Sequence, residues 1–193
     1  LSPVQWFMIR NTREKLEKLG YKFPERDRKE EPVTLDREQQ ELLMDLDGYL
    51  TKHYAKYERY LSPENKGVLG FVRSIYHQRF VSSFTAAYLT IRNRKMFLQA
   101  LLNGDREAVL RAASKLLADE DWEGDEEDLI EAMEEALEGG AGDLVRTELN
   151  MLRDLEARLQ KYDPRILSGN DPKMSRIVQV VDKRLHFRRE ILR

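Results

Sequence analysis

The sequence predicts an all-α protein, a multi-helix bundle with one short extended connector segment. Three observations carry this reading. Apolar residues recur at spacings of three and four over most of the 193 residues. Helix-start signals stand in front of those stretches, as Ser-Pro at 2–3 and 62–63 and as Asp36 with Gln39. Proline is scarce, with 6 residues placed at the edges of the periodic runs rather than inside them.

The elements follow in order. Ser2, Pro3 and Gly20 bracket a first helix. "ERDRKEEPVTL", residues 25–35, has the composition of an extended connector punctuated by Pro24 and Pro32, which excludes a central strand. From Asp36, the row Leu42, Leu43, Leu46, Tyr49, Leu50, His53, Tyr57 and Tyr60 predicts one helix of about 25 residues. Ser62 caps the next helix, to about Phe80. Ser82 or Ser83 caps another that ends near "LLNGD", and Asp105 caps a short helix to about Ala118. Between Ala118 and Val145 there is no basic residue, yet Leu129, Ile130, Met133, Ala136 and Leu137 keep helical spacing. Gly139-Gly140-Ala141-Gly142 predicts a flexible break. Val145, Leu149, Leu152, Leu155, Leu159 and Tyr162 then form an amphipathic face that needs a helical partner. Asp171-Pro172 opens a last helix carrying Met174, Ile177, Val178, Val181 and Leu185.

Composition narrows the function classes. Net charge is −2, so any affinity for nucleic acid must come from charge placement. No cysteine is present, which excludes a disulfide framework and a cysteine zinc site and fits a reducing compartment. A cytoplasmic location is expected. No apolar run approaches the roughly 20 residues that span a bilayer, so no membrane partner is expected.

Catalytic signatures are missing from the sequence. Neither phosphate-binding glycine pattern occurs, and the one glycine cluster lies among acids. His53, His77 and His186 are not at metal-ligand spacing. His53 lies on an apolar stripe, and His77 has no neighbouring carboxylate to orient it. Ser82 and Ser83 lack a nucleophile-elbow context.

The charge pattern is more informative. Asn65 to Gly104 contains no acid but carries Lys66, Arg73, Arg79, Arg92, Arg94 and Lys95. Such cations neutralise phosphates, and serine hydroxyls at a helix start also bind phosphate oxygens. Tyr76, Phe80, Phe84 and Tyr88 interleave with them at four-residue spacing and are expected in the core. Charge alone leaves two readings even: a nucleic-acid face, or a face docked on this chain's own acidic helix at 119–138.

Three stretches bear on the choice. Ile9, Arg10, Asn11, Thr12 and Arg13, with Pro24, Glu25, Arg26 and Leu35 to Gln39, resemble the end of the first motor lobe in SWI/SNF-related helicase-like ATPases. Gln78, Arg79, Ser82, Ser83, Ala86, Leu89 and Arg92 resemble a "kR..SS..Al...l..R" segment of the bacterial and archaeal, RapA-like branch. Asp171, Lys173, Met174, Ile177, Val180 and Val181 are similar to the helix that precedes its second lobe. Asn11 departs from the family pattern, which commonly has arginine there.

The resemblance implies a fragment between two motor lobes, non-catalytic by itself, in a parent that uses ATP and magnesium as an ATP-dependent hydrolase. It divides the chain into 1–35, end of the first lobe and connector; 36–104, helical inter-lobe region; 105–162, acidic helical insertion; and 163–193, linker and start of the second lobe. Arg73, Arg79, Ser82, Ser83, Arg92, Arg94 and Lys95 are then the expected contacts to double-stranded DNA. The flanking motor lobes are expected partners, with RNA polymerase as a further one. The rival expectation is a helical protein-interaction module that docks a partner such as RNA polymerase without touching nucleic acid.

Overall fold

The structure is a computed structural model and describes residues 13–22, 30–118, 126–166 and 171–191. The chain divides into two compact units, Leu1–Pro32 and Val33–Arg193. The described part of the first unit is helix α1, Arg13–Lys18, closed by backbone bonds from Gly20 to Glu17 and from Tyr21 to Leu16. Positions 9–12 and 24–26 of the resemblance lie outside the described residues.

The second unit is all helical, and no strand occurs among the described residues. Helix α2, Arg37–Gly48, opens with the expected capping box. Asp36 Oδ1 accepts the Gln39 N–H at 2.8 Å, and Gln39 Oε1 accepts the Asp36 N–H at 3.0 Å. The single long helix expected here is not uniform. A π-turn, Tyr49–His53, follows α2, and a 3-10 segment, Tyr54–Tyr60, follows that. The apolar spacing places the right side chains inward but does not distinguish i→i+5 from i→i+3 winding. Leu42, Leu46, Tyr49, Leu50, His53 and Tyr57 are all buried.

Helices α3, Pro63–Ser82, and α4, Phe84–Leu102, meet at a sharp corner. Ser83 is extended there, and its Oγ accepts the Ala86 N–H at 3.0 Å, which starts α4. The aromatic row crosses the corner unbroken, and Tyr76, Phe80, Phe84 and Tyr88 are core residues. Helix α5, Arg106–Leu117, is capped by Asp105. Helices α6, Glu126–Glu138, and α7, Gly142–Leu159, complete the bundle. Their glycine junction is a closed turn rather than a flexible break. Gly140 has φ +97°, and the Ala141 N–H reaches Ala136 O at 2.9 Å. A Cβ on Gly139 would lie 3.3 Å from Glu135 O and 3.4 Å from Tyr60 O, so the turn sits close against the end of the 3-10 segment.

The described residues of 105–162 are structurally integral to the unit. Helices α5 and α7 pack along α4, and α6 packs along α3. A last helix, α8, Pro172–Ile191, follows. No described helix is long and apolar enough to cross a membrane.

An ion pair lies at the centre. Arg94 on α4 and Glu148 on α7 are both fully buried. Arg94 Nε donates to Glu148 Oε1 at 2.9 Å, and Nη2 donates to Oε2 at 3.2 Å. Tyr49 donates to Oε1 at 2.6 Å and Tyr57 to Oε2 at 2.5 Å, so each carboxylate oxygen accepts two bonds. The guanidinium also lies 5.0 Å from the Tyr54 ring centre, 5.5 Å from Phe97 and 5.8 Å from Tyr57. Burial alone would raise the Glu148 carboxyl. The adjacent Arg94 charge and the bonds from Arg94, Tyr49 and Tyr57 outweigh it and hold the group below its usual range.

Removing one partner of such a pair leaves an uncompensated buried charge. Arg94→Met alone is expected to destabilise the fold by about 3–5 kcal/mol, whereas the double change with Glu148→Leu recovers most of the loss. Urea unfolding of the two variants checks this. Because the folded-state value of Glu148 is lowered, its ionisation contributes stability that is complete above the ordinary carboxylate range near pH 4–5 and is lost as pH falls through the lowered value. Glu148→Gln should therefore flatten the acid limb of a stability–pH curve measured by chemical denaturation.

Candidate nucleic-acid interface and the helix corner

The acid-free run supplies α3 and α4, and the fold distributes its cations unequally. Arg94 is in the core with its charge paired to Glu148, so it does not reach a phosphate; this corrects its expected place on a DNA face. Lys95 pairs with Glu156 of α7, both side chains being 20% exposed. Arg79 donates to Leu116 O at 2.8 Å and to Ala118 O at 3.3 Å, and thereby closes the C-terminal end of α5. Three of the expected contacts thus serve the bundle itself.

The others face outward to different degrees. Arg73 is 40% exposed and meets Glu58 at 3.2 Å, a surface pair of small energetic weight. Arg92 is half-buried on α4, near the Tyr88 hydroxyl. Ser82 is the exposed last residue of α3, and Ser83 is half-buried as the cap of α4. Lys66 and His77 are exposed on α3. A groove of about 540 Å³ runs beside this face, lined by Asp47, Thr51, Arg73, Ser74, His77 and Gln78.

Docking onto the chain's own acids also takes place, partly on the acidic helix itself, although the two cations of the acid-free run that have carboxylate partners in 105–162 find them on α7. Glu148 and Glu156 of α7 take Arg94 and Lys95. Within α6, Glu127 and Glu134 hold Arg106 of α5. Glu135 serves the start of α3 instead. It accepts from the Ser62 N–H at 2.9 Å, from Ser62 Oγ at 3.2 Å and from Asn65 Nδ2 at 2.6 Å. The Asn65 bond, followed by the Ser62 N–H, holds its carboxyl below the usual value.

The corner between α3 and α4 gathers two stretches that lie far apart in sequence. Asp171, 4% exposed, accepts the Thr85 N–H at 3.0 Å through Oδ2. Its Oδ1 accepts the Lys173 N–H at 3.0 Å and the Met174 N–H at 3.3 Å, so the same carboxylate starts α8. The Lys173 ammonium binds Val81 O in the last turn of α3. Both ends of the corner receive a complementary charge, an anion on the amide end of α4 and a cation on the carbonyl end of α3. Beside it, Phe84 stacks on Tyr162 at 4.8 Å, and Tyr88 donates to Asp163 at 3.0 Å. Arg165, followed by other bonds, pulls the Asp163 carboxyl well below its usual range.

No group of metal-ligating side chains is found among the described residues. His53 is buried on the π-turn, and burial lowers its pKa. Sequence reasoning missed Glu148, Tyr49 and Tyr57 as the partners of Arg94, and missed the reach of Asp171 to Thr85.

No known family model, curated protein or solved structure matches this chain. The chemistry of its surfaces therefore rests on the residues themselves.

Charge reversal separates the two uses of the cations. Arg79→Glu and Lys95→Glu are expected to lower Tm by several degrees, at roughly 4–8 °C per kcal/mol lost in a small domain and less in a larger one. Arg73→Glu and Arg92→Glu should change it little, within about 0.5 kcal/mol of surface tolerance. Thermal melts followed by circular dichroism distinguish the classes.

Proposed function

We propose that this chain is a helical inter-lobe segment of an ATP-dependent double-stranded DNA translocase of the SWI/SNF-related, RapA-like class. In this reading it couples the flanking motor lobes, adds backbone contact to DNA and catalyses nothing alone. ATP and magnesium belong to the parent's lobes, and the setting is cytoplasmic. One observation carries the proposal. Two of the three stretches that resemble this family, the Ser82-Ser83 corner and the Asp171-x-Lys173 start of the last helix, meet in a single joint. A joint between a helical region and a helix leading onward is what transmission between two bodies requires.

The DNA-contact part of the proposal narrows to outward cations. Arg73 and Arg92 are the residues assigned to phosphate; Arg79, Arg94 and Lys95 are set aside because the bundle uses them. Their contribution is sequence-independent and salt-sensitive.

A second reading has its own support. Met174, Ile177, Val178 and Val181 on α8 are 50%, 55%, 54% and 48% exposed and form one apolar stripe. A protein-interaction module that docks a partner such as RNA polymerase would use such a stripe and leave nucleic acid untouched.

Fluorescence anisotropy of a labelled duplex at rising salt tests the proposal. Weak binding with a log–log salt slope of about −2 is expected for two neutralised phosphates. Arg73→Glu with Arg92→Glu should abolish it without loss of fold. Undetectable binding at low salt, or binding without a salt slope, overturns the DNA-contact reading. Retained RNA polymerase capture that is lost on Val178→Asp would then favour the second.

A further inference from the structure

Asp163 and Arg165 form an ion pair whose two ends differ sharply in exposure. The Asp163 side chain is 6% exposed and that of Arg165 is 68% exposed. The pair stands on a tight turn, residues 163–166. Pro164 takes its second position, where a fixed φ suits the turn, and the Ile166 N–H closes it on Asp163 O at 2.9 Å. Asp163 Oδ1 also accepts the Arg165 N–H at 3.0 Å, which sets the arginine's backbone. Tyr162, stacked on Phe84, and Tyr88, donating to Asp163 Oδ2, seat this turn on α4. Arg165 Nε lies 3.0 and 3.1 Å from the two carboxylate oxygens, and Nη2 lies 2.5 Å from Oδ2. One edge of the guanidinium is thus fastened from inside. Its Nη1 bonds no group among the described residues.

Arg92 approaches the same place from α4. It follows Tyr88 by one helical turn on the same face, and its charge acts on the Tyr88 hydroxyl, as that of Arg165 does. Unlike Arg94 and Lys95, it meets no carboxylate among the described residues, and α4 itself carries none. Two guanidiniums therefore gather around one hydroxyl, and the carboxylate beside it is buried with both oxygens occupied. We propose that Arg92 and Arg165 together clamp one phosphate group. As a seat for a DNA phosphate the clamp rests on the translocase reading, which already assigns Arg92; as a seat for a phosphate group it does not. A guanidinium fork matches the oxygens of a phosphate, and a fork locked by one edge loses little freedom when its other edge binds. A tetrahedral phosphate accepts from several directions, which suits guanidiniums supplied by two elements, whereas a carboxylate is satisfied in one plane by a single fork.

Two-dimensional NMR of the full 193-residue chain, titrated with inorganic pyrophosphate at low salt, tests the clamp. Saturable shifts are expected at the Nε–H signals of Arg92 and Arg165, with none from sodium acetate over the same range. Arg92→Met and Arg165→Met should each weaken binding about ten-fold, as loss of a charge-assisted contact does, while Arg73→Met leaves it unchanged. Shifts that do not saturate, equal binding of acetate, or an unchanged constant in either folded variant overturn the clamp. Equal weakening by Arg73→Met overturns it too, because the binding is then diffuse. Arg92→Met breaks no ion pair, so its result stands even where Arg165→Met unsettles the turn. A labelled duplex then identifies the source. A salt slope reduced by about one in the double variant, Arg92→Met with Arg165→Met, places the clamp on DNA. Pyrophosphate binding that both variants weaken, beside duplex binding that neither changes, keeps the clamp for free phosphate compounds and removes Arg92 from the DNA reading.

Discussion

A guanidinium inside an apolar bundle has to be neutralised where it sits, and the rest of this structure is arranged around that requirement. Arg94 has no exposed surface, and its only carboxylate among the described residues is Glu148, on a helix 54 residues later in the chain. The pair fixes α4 against α7 in register and in rotation, because a bidentate arginine–carboxylate contact tolerates little of either. Tyr49 and Tyr57 then bring the third wall to the same two oxygens. Such a cluster is a poor source of net stability compared with an apolar core. Its effect is that only one mutual arrangement of the three walls leaves no charge unpaired.

The same logic explains why Asn65 to Gly104 contains no acid. The countercharges exist, but they are supplied by residues 105–162. Glu148 and Glu156 face Arg94 and Lys95, Glu135 faces the opening turn of α3, and the closing carbonyls of α5 face Arg79. Charge segregation along the sequence becomes charge pairing in space. What remains outward after that pairing is small, chiefly Lys66, Arg73 and Arg92, and any function that depends on the positive charge of this run has to work with those residues.

The helical class and the caps were legible because they depend on local rules. Asp36 with Gln39, Ser62, Ser83 and Asp105 each bond the amide three positions on, and a four-residue window contains that information. The core stripes were legible for the same reason. The windings after Gly48 were not, because π, α and 3-10 turns place similar rows inward over two turns. Partners across the bundle were hidden, although a signal existed. Arg94 stands in phase with buried Ile91 and Leu98, and Glu148 stands in phase with buried Val145 and Leu152. One cation and one anion, each set in an apolar row on a different helix, is the pattern a buried pair leaves in a sequence. For Asp171 no such signal exists, since its bond to Thr85 spans 86 positions and depends on the corner's geometry.

The placement of Glu148 also bears on the order in which the molecule can become whole. Ribosomes deliver α4 well before α7, so for the time needed to add those 54 residues the growing chain carries Arg94 without its counterion. During that interval α2 to α6 cannot close over the arginine without trapping a bare charge. A chain that ends before residue 148 lacks the carboxylate that neutralises Arg94 in the finished bundle, so closing the earlier helices over that arginine carries the cost of a bare buried charge.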